Sequence, residues 1–213
     1  MTERLLYAVT PDTLAADPAR LLEACAAAIA GGARLLQYRD KASAPDRRQR
    51  NAEALLALCR AGGARFIVND DAALAAAIGA DGAHLGRSDG RLEAARARLG
   101  PAALIGASCA SDLDHADNAL VAGASYVAFG RFFASTTKPD APPADPAVLG
   151  AARRRIGAPI CAIGGVTPDN GALLLAAGAD WLAAVDGLFG AGDPAVIERR
   201  ARAYCALFAA APR

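Results

Sequence analysis

Histidine is almost missing from the 213-residue chain: only His84 and His115 occur, too widely separated to suggest a shared metal centre. Cysteine does not make up for it. Cys25, Cys59, Cys109, Cys161 and Cys205 are odd in number and never form a CxxC pair, which argues against a zinc ribbon and a disulfide framework. Most lie among Ala, Leu and Ile, so reduced, structural thiols and a cytoplasmic setting are expected. No apolar stretch reaches the roughly 18 residues of a membrane span before Gly, Asp or Arg interrupts it, so no membrane association is expected. The N-terminal residues run straight into a short apolar segment, and no leader peptide is expected. Net charge is lacking too: 23 basic against 22 acidic residues leave +1, which argues against nucleic acid as a partner. There is no P-loop and no G-x-S-x-G, so NTPase and nucleophile-elbow chemistry drop out.

What is present is a packed core and a rhythm. With 54% hydrophobic residues the chain can bury one. A helical segment repeatedly ends at Gly, often Gly-Ala, and a short apolar run follows at once. This happens after Gly32, Gly63, Gly79, Gly100, Gly123, Gly157 and Gly178. With Leu5-Leu6-Tyr7-Ala8-Val9 in front, these runs make eight strand candidates. Helical stretches such as 18–30, 46–61, 113–122, 146–156, 170–177 and 194–208 lie between them, several opening on Asp-Pro. Near-continuous apolar strands alternating with helices predict an α/β fold, a single (β/α)8 TIM barrel over residues 1–213. A doubly wound open sheet is the alternative, disfavoured because G-x-G-x-x-G is absent after the first strand. Residues 135–147, rich in Pro, read as a long loop on the active face.

In such barrels the polar residues just after each strand face the site. Gln37, Arg39 and Lys41 alternate along an extended segment, so they share one side of it. Together with Lys138 from the long loop they predict a polyanion clamp. An exposed basic strand end is the bland alternative. Asn69, Asp70 and Asp89 bring hard oxygen donors to the same mouth, which suits Mg2+ shared with substrate phosphates. Asp70 also fits a helix N-cap, a duty that Asn69 or Asp71 can share. Gly164-Gly165 after the seventh strand and the start of the loop after the eighth suggest a second anion site built on backbone N–H groups. Ser135 and Thr137 would add hydroxyls to it.

The ordered set Gln37-Tyr38-Arg39-Asp40-Lys41, Val68-Asn69-Asp70-Asp71, Gly82-Ala83-His84-Leu85-Gly86, Gly106-Ala107-Ser108, Thr136-Thr137-Lys138-Pro139 and Ala162-Ile163-Gly164-Gly165-Val166 with Asn170 resembles the thiamine phosphate synthase family from Tyr7 to about Phe189. The resemblance implies a (β/α)8 transferase that joins a hydroxymethylpyrimidine diphosphate to a thiazole phosphate and releases pyrophosphate, with Mg2+ as cofactor. It implies that Arg39, Lys41 and Lys138 hold the diphosphate and that Asp70 and Asp89 bind the metal. Gln37, Asn69 and Ser108 would contact the pyrimidine, in a substrate-binding stretch that includes Tyr38 and Asp40. Ser135, Thr136, Thr137, Gly165 and the backbone of Val185 and Asp186 would cradle the thiazole phosphate. Arg39, Lys41, Ser108 and Lys138 are the implied catalytic set.

The chain departs from the family pattern at Arg87-Ser88 before Asp89, at Gly130-Arg131, at Ala134 and Ser135, and at Asp186, where the family commonly has Ser. Expected partners are the two small-molecule substrates, and the sequence allows a homo-oligomer without requiring one. The chemistry needs no enzyme nucleophile, which agrees with the lack of any Cys/His or Ser/His pair obvious in the sequence. Three rivals stand beside it: a thiazole tautomerase-like isomerase of the same superfamily, a sugar-phosphate epimerase, and a non-catalytic module that binds thiamine precursors. None of them needs the cations and both carboxylates together.

Overall fold

A computed structural model describes residues 3–134 and 142–210. Strands β1 (Leu5–Val9), β2 (Leu35–Tyr38), β3 (Arg65–Asn69), β4 (Gly82–Leu85), β5 (Leu104–Ala110), β6 (Tyr126–Phe129), β7 (Ile160–Ile163) and β8 (Trp181–Ala184) pair in parallel and close into a barrel in sequence order. Around it run helices α1 (Pro18–Ala30), α2 (Pro45–Gly62), α3 (Ala72–Ile78), α4 (Leu92–Leu99), α5 (Leu113–Val121), α6 (Ala147–Arg155), α7 (Gly171–Ala177), α8 (Asp186–Phe189) and α9 (Pro194–Ala210). The open-sheet alternative is thereby excluded. Among the described residues no helix is long and apolar enough to cross a membrane.

Side chains alternate between two cores, as a two-residue period requires. Leu6, Leu36, Phe66, Val127 and Leu182 point outward and are buried under the helices. Tyr7, Leu35, Ile67, Tyr126, Cys161 and Trp181 fill the interior. Three aromatic rings form the floor beneath the mouth. The Tyr126 and Trp181 centroids lie 4.8 Å apart, and Tyr7 meets Tyr126 edge-on at 5.9 Å.

The recurring Gly-Ala has a third member that explains its use. In Gly79-Ala80-Asp81 and Gly178-Ala179-Asp180 the Asp carboxylate accepts the first ladder N–H of an adjoining strand, Phe66 at 2.7 Å and Ile160 at 2.8 Å. Ser125 in Gly123-Ala124-Ser125 does the same for Ile105 at 3.1 Å. Each residue also donates its own N–H to that strand. The glycine ends the helix while the polar residue engages the neighbouring strand, so one tripeptide performs both jobs. Asp17 and Asp193 cap α1 and α9 through the N–H groups of Arg20 and Val196, as Asp-Pro predicts. At the third such site the helix starts later than the sequence suggests, and Asp145 accepts from Ala147 instead.

The rim at the strand N-termini is held by Arg96 of α4. Its guanidinium donates to the carbonyls of Gly100, Pro101, Ala103 and Gly123 and to the Ser125 hydroxyl, between 2.8 and 3.1 Å. Replacing it orphans several half-buried acceptors at once. Arg96→Met is expected to lower the unfolding free energy by about 3 kcal/mol, whereas exposed Arg98→Met changes it by less than about 0.5 kcal/mol. Urea denaturation with unchanged slope for both variants checks this.

Candidate active site at the C-terminal mouth

The opposite rim opens into a cavity of about 750 Å³ that brings together Gln37, Arg39, Lys41, Asn69, Asp89, Ser108, Gly165, Val185 and Asp186 from six strand ends. Thr10, just past β1, fixes the basic segment. Its hydroxyl accepts from the Arg39 N–H at 2.9 Å and lies 3.2 Å from the Arg39 carbonyl. Asp12 in the same loop pairs with the Arg39 guanidinium and accepts the Lys41 N–H at 3.0 Å. Asp12 is a site residue the sequence reading missed. Its signal was a carboxylate three residues beyond the end of β1, in the loop that follows Thr10.

Lys41 Nζ then reaches the Asp70 carboxylate at 3.0 Å. Asp70 sits at φ 61°, a left-handed conformation that Asp tolerates better than most residues, and its N–H still extends the β3–β4 ladder to the His84 carbonyl at 2.8 Å. The capping question has a clear answer: Asp71 caps α3, accepting from the Leu74 N–H at 2.8 Å, which leaves Asp70 to the mouth. Asp89 is aimed by a tight turn, its carboxylate accepting the Gly86 N–H at 2.9 Å. Burial raises the Asp70 carboxyl above its ordinary range, with the Asp89 carboxylate adding to that and Lys41 opposing it. Asp89 is also desolvated, yet hydrogen bonds from Asp70 and the Gly86 N–H hold it below the ordinary range. Two facing carboxylates repel one another, and a divalent cation held between them would relieve that repulsion.

Gln37, Ser108 and His84 belong to one chain of hydrogen bonds. Gln37 Nε2 donates to the Tyr7 hydroxyl at 2.6 Å, which meets the Tyr126 hydroxyl at 2.7 Å. Tyr126 contacts His84 Nδ1 at 3.0 Å, and His84 Nε2 contacts Ser108 Oγ at 2.9 Å. Burial pushes both tyrosines far above the ordinary phenol range, so both keep their protons. The other histidine, His115, lies on α5 and is half buried there.

On the far wall Gly164 and Gly165 have φ 99° and 65°. A Cβ on either would collide with the loop after β6, at Arg131 and at the Ala134 carbonyl. Close packing of two backbones is thus one reason both are glycine. Asn170 braces the turn, donating to the Gly165 carbonyl at 3.0 Å and accepting from Thr167 at 2.8 Å. Arg131, Arg200 and Asp186 line this cavity as well. Arg200 lies 3.5 Å from the Asp186 carbonyl. Its long reach from α9 could not be read from strand ends.

Two residues of the basic segment go elsewhere. Tyr38 packs outward, its hydroxyl donating to Asp40 at 2.6 Å and accepting from Asn51 at 3.2 Å. Asp40 accepts the N–H groups of Ala42 and Ser43. Neither side chain lines the cavity, because alternation turns both away from it. They shape the loop that carries Lys41. Ser135, Thr136, Thr137 and Lys138 lie outside the described residues. All five cysteines are free. Burial raises the thiols, Cys59 and Cys109 to about 12, which suits structural rather than nucleophilic roles.

Comparison with known proteins agrees with this geometry. The sequence profile of the thiamine monophosphate synthase family matches residues 6–188. A thiamine-phosphate synthase of Chromobacterium violaceum is 56% identical over 194 residues, 91% of this chain and 92% of the relative. A thiamine phosphate pyrophosphorylase from Pyrococcus furiosus superimposes with a TM-score of 0.84 at 30% identity, covering 97% of this chain and 96% of the other. A thiamine phosphate pyrophosphorylase from Bacteroides thetaiotaomicron, at 16% identity, has a TM-score of 0.69 over 99% of this chain and 100% of its own, a likeness of fold.

The coupling between the two carboxyls is testable by 13C titration. Asp70 is expected to titrate lower in Asp89→Asn, where the facing charge is gone, and higher in Lys41→Met, where the neutralising ammonium is gone. An Asp70 titration indifferent to both substitutions would refute the coupling.

Proposed function

The chain belongs to the thiamine monophosphate synthase family, and from that premise we propose that it condenses 4-amino-2-methyl-5-hydroxymethylpyrimidine diphosphate with 4-methyl-5-hydroxyethylthiazole phosphate, or its carboxylated form, to thiamine phosphate and pyrophosphate. The observation that carries this reading is one cavity lined by Arg39, Lys41 and Asp89 on one side and a glycine-built wall on the other, with Asp70 held against Lys41 and Asp89 behind that lining. A reaction with two anionic substrates needs two anion sites, and a diphosphate leaving group needs its charge neutralised at the first of them.

Asp70 and Asp89 fit Mg2+, a cation typically bound by one or two carboxylates together with phosphate oxygens. Among the described residues no cluster of three or more metal-ligating side chains exists. The remaining ligands would therefore be substrate oxygens and water. When bound, Mg2+ would stabilise the charge that builds on the departing diphosphate. Arg39 and Lys41 would hold that diphosphate, joined by Lys138. Both Arg39 and Lys41 are pre-positioned by Asp12.

The carbon–oxygen bond to the diphosphate breaks with its electron pair leaving on oxygen. The electron-rich aminopyrimidine carries the resulting cation. The thiazole nitrogen then supplies the pair for the new carbon–nitrogen bond, and no enzyme nucleophile is required. With the thiazole phosphate no proton need move, whereas the carboxylated form also releases carbon dioxide and takes up a proton at the carbon it leaves. Gln37, Asn69 and Ser108 would orient the pyrimidine. Gly165, the Val185–Asp186 backbone and Ser135, Thr136 and Thr137 would hold the thiazole phosphate, with Arg131 and Arg200 supplying the positive field that offsets Asp186. Five free cysteines suit a cytoplasmic enzyme.

Mixing the protein with both substrates and Mg2+ is expected to release pyrophosphate only when all three are present. Asp70→Ala and Lys138→Ala are expected to lower the rate by about 10²–10³-fold. Arg200→Ala is expected to raise KM for the thiazole phosphate by about tenfold while leaving KM for the pyrimidine diphosphate unchanged. Folded protein that releases no pyrophosphate would refute the synthase reading and favour an isomerase or a precursor-binding module.

A further inference from the structure

The chain of hydrogen bonds from Gln37 to Ser108 crosses the barrel from β2 to β5 through groups that give and receive at the same time. A phenol that accepts from one neighbour has its hydrogen left for the next, and a neutral imidazole that accepts at one nitrogen donates from the other. The polarity of the whole chain is therefore set at its first link. With Gln37 Nε2 donating to Tyr7, Tyr7 donates to Tyr126, Tyr126 donates to His84 Nδ1, and His84 carries its proton on Nε2 and donates to Ser108 Oγ.

This leaves two complementary ends: Gln37 Oε1, an acceptor, and the Ser108 hydroxyl hydrogen, a donor. Turning the Gln37 amide over reverses every link and exchanges the two ends together. The links are held from both sides. The Tyr7 and Tyr126 rings are buried against Trp181, and Gly106 makes room for the Tyr126–His84 contact, since a Cβ there would collide with both partners.

We propose that Tyr7, Tyr126 and His84 are positioning residues that couple Gln37 to Ser108, so that the site offers one acceptor and one donor and selects an aminopyrimidine over its oxo counterpart. The proposal rests on the reading above that Gln37 and Ser108 face the pyrimidine. An amino group donates to Gln37 Oε1, and an unprotonated ring nitrogen accepts from Ser108. Exchanging the amine for a carbonyl places acceptor against acceptor at Gln37, and the lactam N–H meets a donor at Ser108. An uncoupled site would let each end rotate separately and accommodate either ring. The coupled one must reverse five groups to do so.

Two measurements test it. Because the chain has only two histidines, 15N spectra resolve His84 from His115 by comparison with His115→Gln. His84 is expected as the neutral tautomer protonated on Nε2 in wild type, and as a tautomer mixture in Tyr126→Phe. A wild-type His84 protonated on Nδ1, or present as imidazolium, would overturn the assigned polarity.

The second compares kcat/KM for the aminopyrimidine diphosphate and for its 4-oxo analogue. The amino-to-oxo ratio is expected to fall by about tenfold in Tyr126→Phe and likewise in Tyr7→Phe, whose hydroxyl lies three links from Ser108. Circular dichroism melts identify any variant that fails to fold, and Tyr7→Phe, which keeps its ring, provides the second independent arm. Wild-type turnover with ratios unchanged in both folded variants would overturn the coupling. Wild-type protein inactive on the amino substrate would instead refute the synthase reading itself.

Discussion

Closure of eight short parallel strands is the constraint on which the rest depends. A closed sheet has no edge, so every strand both donates to and accepts from each of its two neighbours. Only side chains spaced two apart reach the interior. That geometry places Gln37, Asn69, His84 and Ser108 on the inner face of four different strands. It also separates labour between the ends. The rim at the strand N-termini holds Arg96 and the Asp81, Ser125 and Asp180 rungs, whose partners are backbone groups, one another and, for Asp180, the Arg153 guanidinium. The other rim holds groups whose partners are mostly loops and one another.

Much of this was legible in the sequence because its signals are local. Gly-Ala punctuation, Asp-Pro helix starts and apolar runs gave all eight strands, since each depends on a few neighbouring residues. The helix α1 bounds match the expectation, while α6 begins one residue later because Pro146 takes the cap position. The post-strand residues were legible for the same reason. Tyr38 and Asp40 show the limit: both lie in the motif, but the two-residue period that brings Gln37 and Arg39 inward turns them out toward Asn51 and their own loop.

What the sequence withheld is whatever depends on register across the barrel or on reach from another layer. Tyr7 and Tyr126 lie 119 positions apart, and no spacing rule predicts that their hydroxyls meet at 2.7 Å. Asp12 acts through a loop turned back by a 3-10 turn, and Arg200 reaches over from α9. The choice between Asp70 and Asp71 as the α3 cap could not be made from composition, because adjacent aspartates are equivalent until the chain direction is fixed.

The floor of the mouth has a consequence of its own. It is built from phenols, an amide, a hydroxyl, an imidazole and an indole, while Arg39, Lys41, Asp89 and Asp186 line the cavity at the strand ends. Polarity thus changes with depth. A ligand with an uncharged ring at one end and phosphates at the other is sorted before any specific contact forms: inverted entry would carry its charge into a dry, aromatic layer and leave the ring among hydrated ions. Burying charge among those rings is costly, so the mouth favours ring-first entry of such molecules.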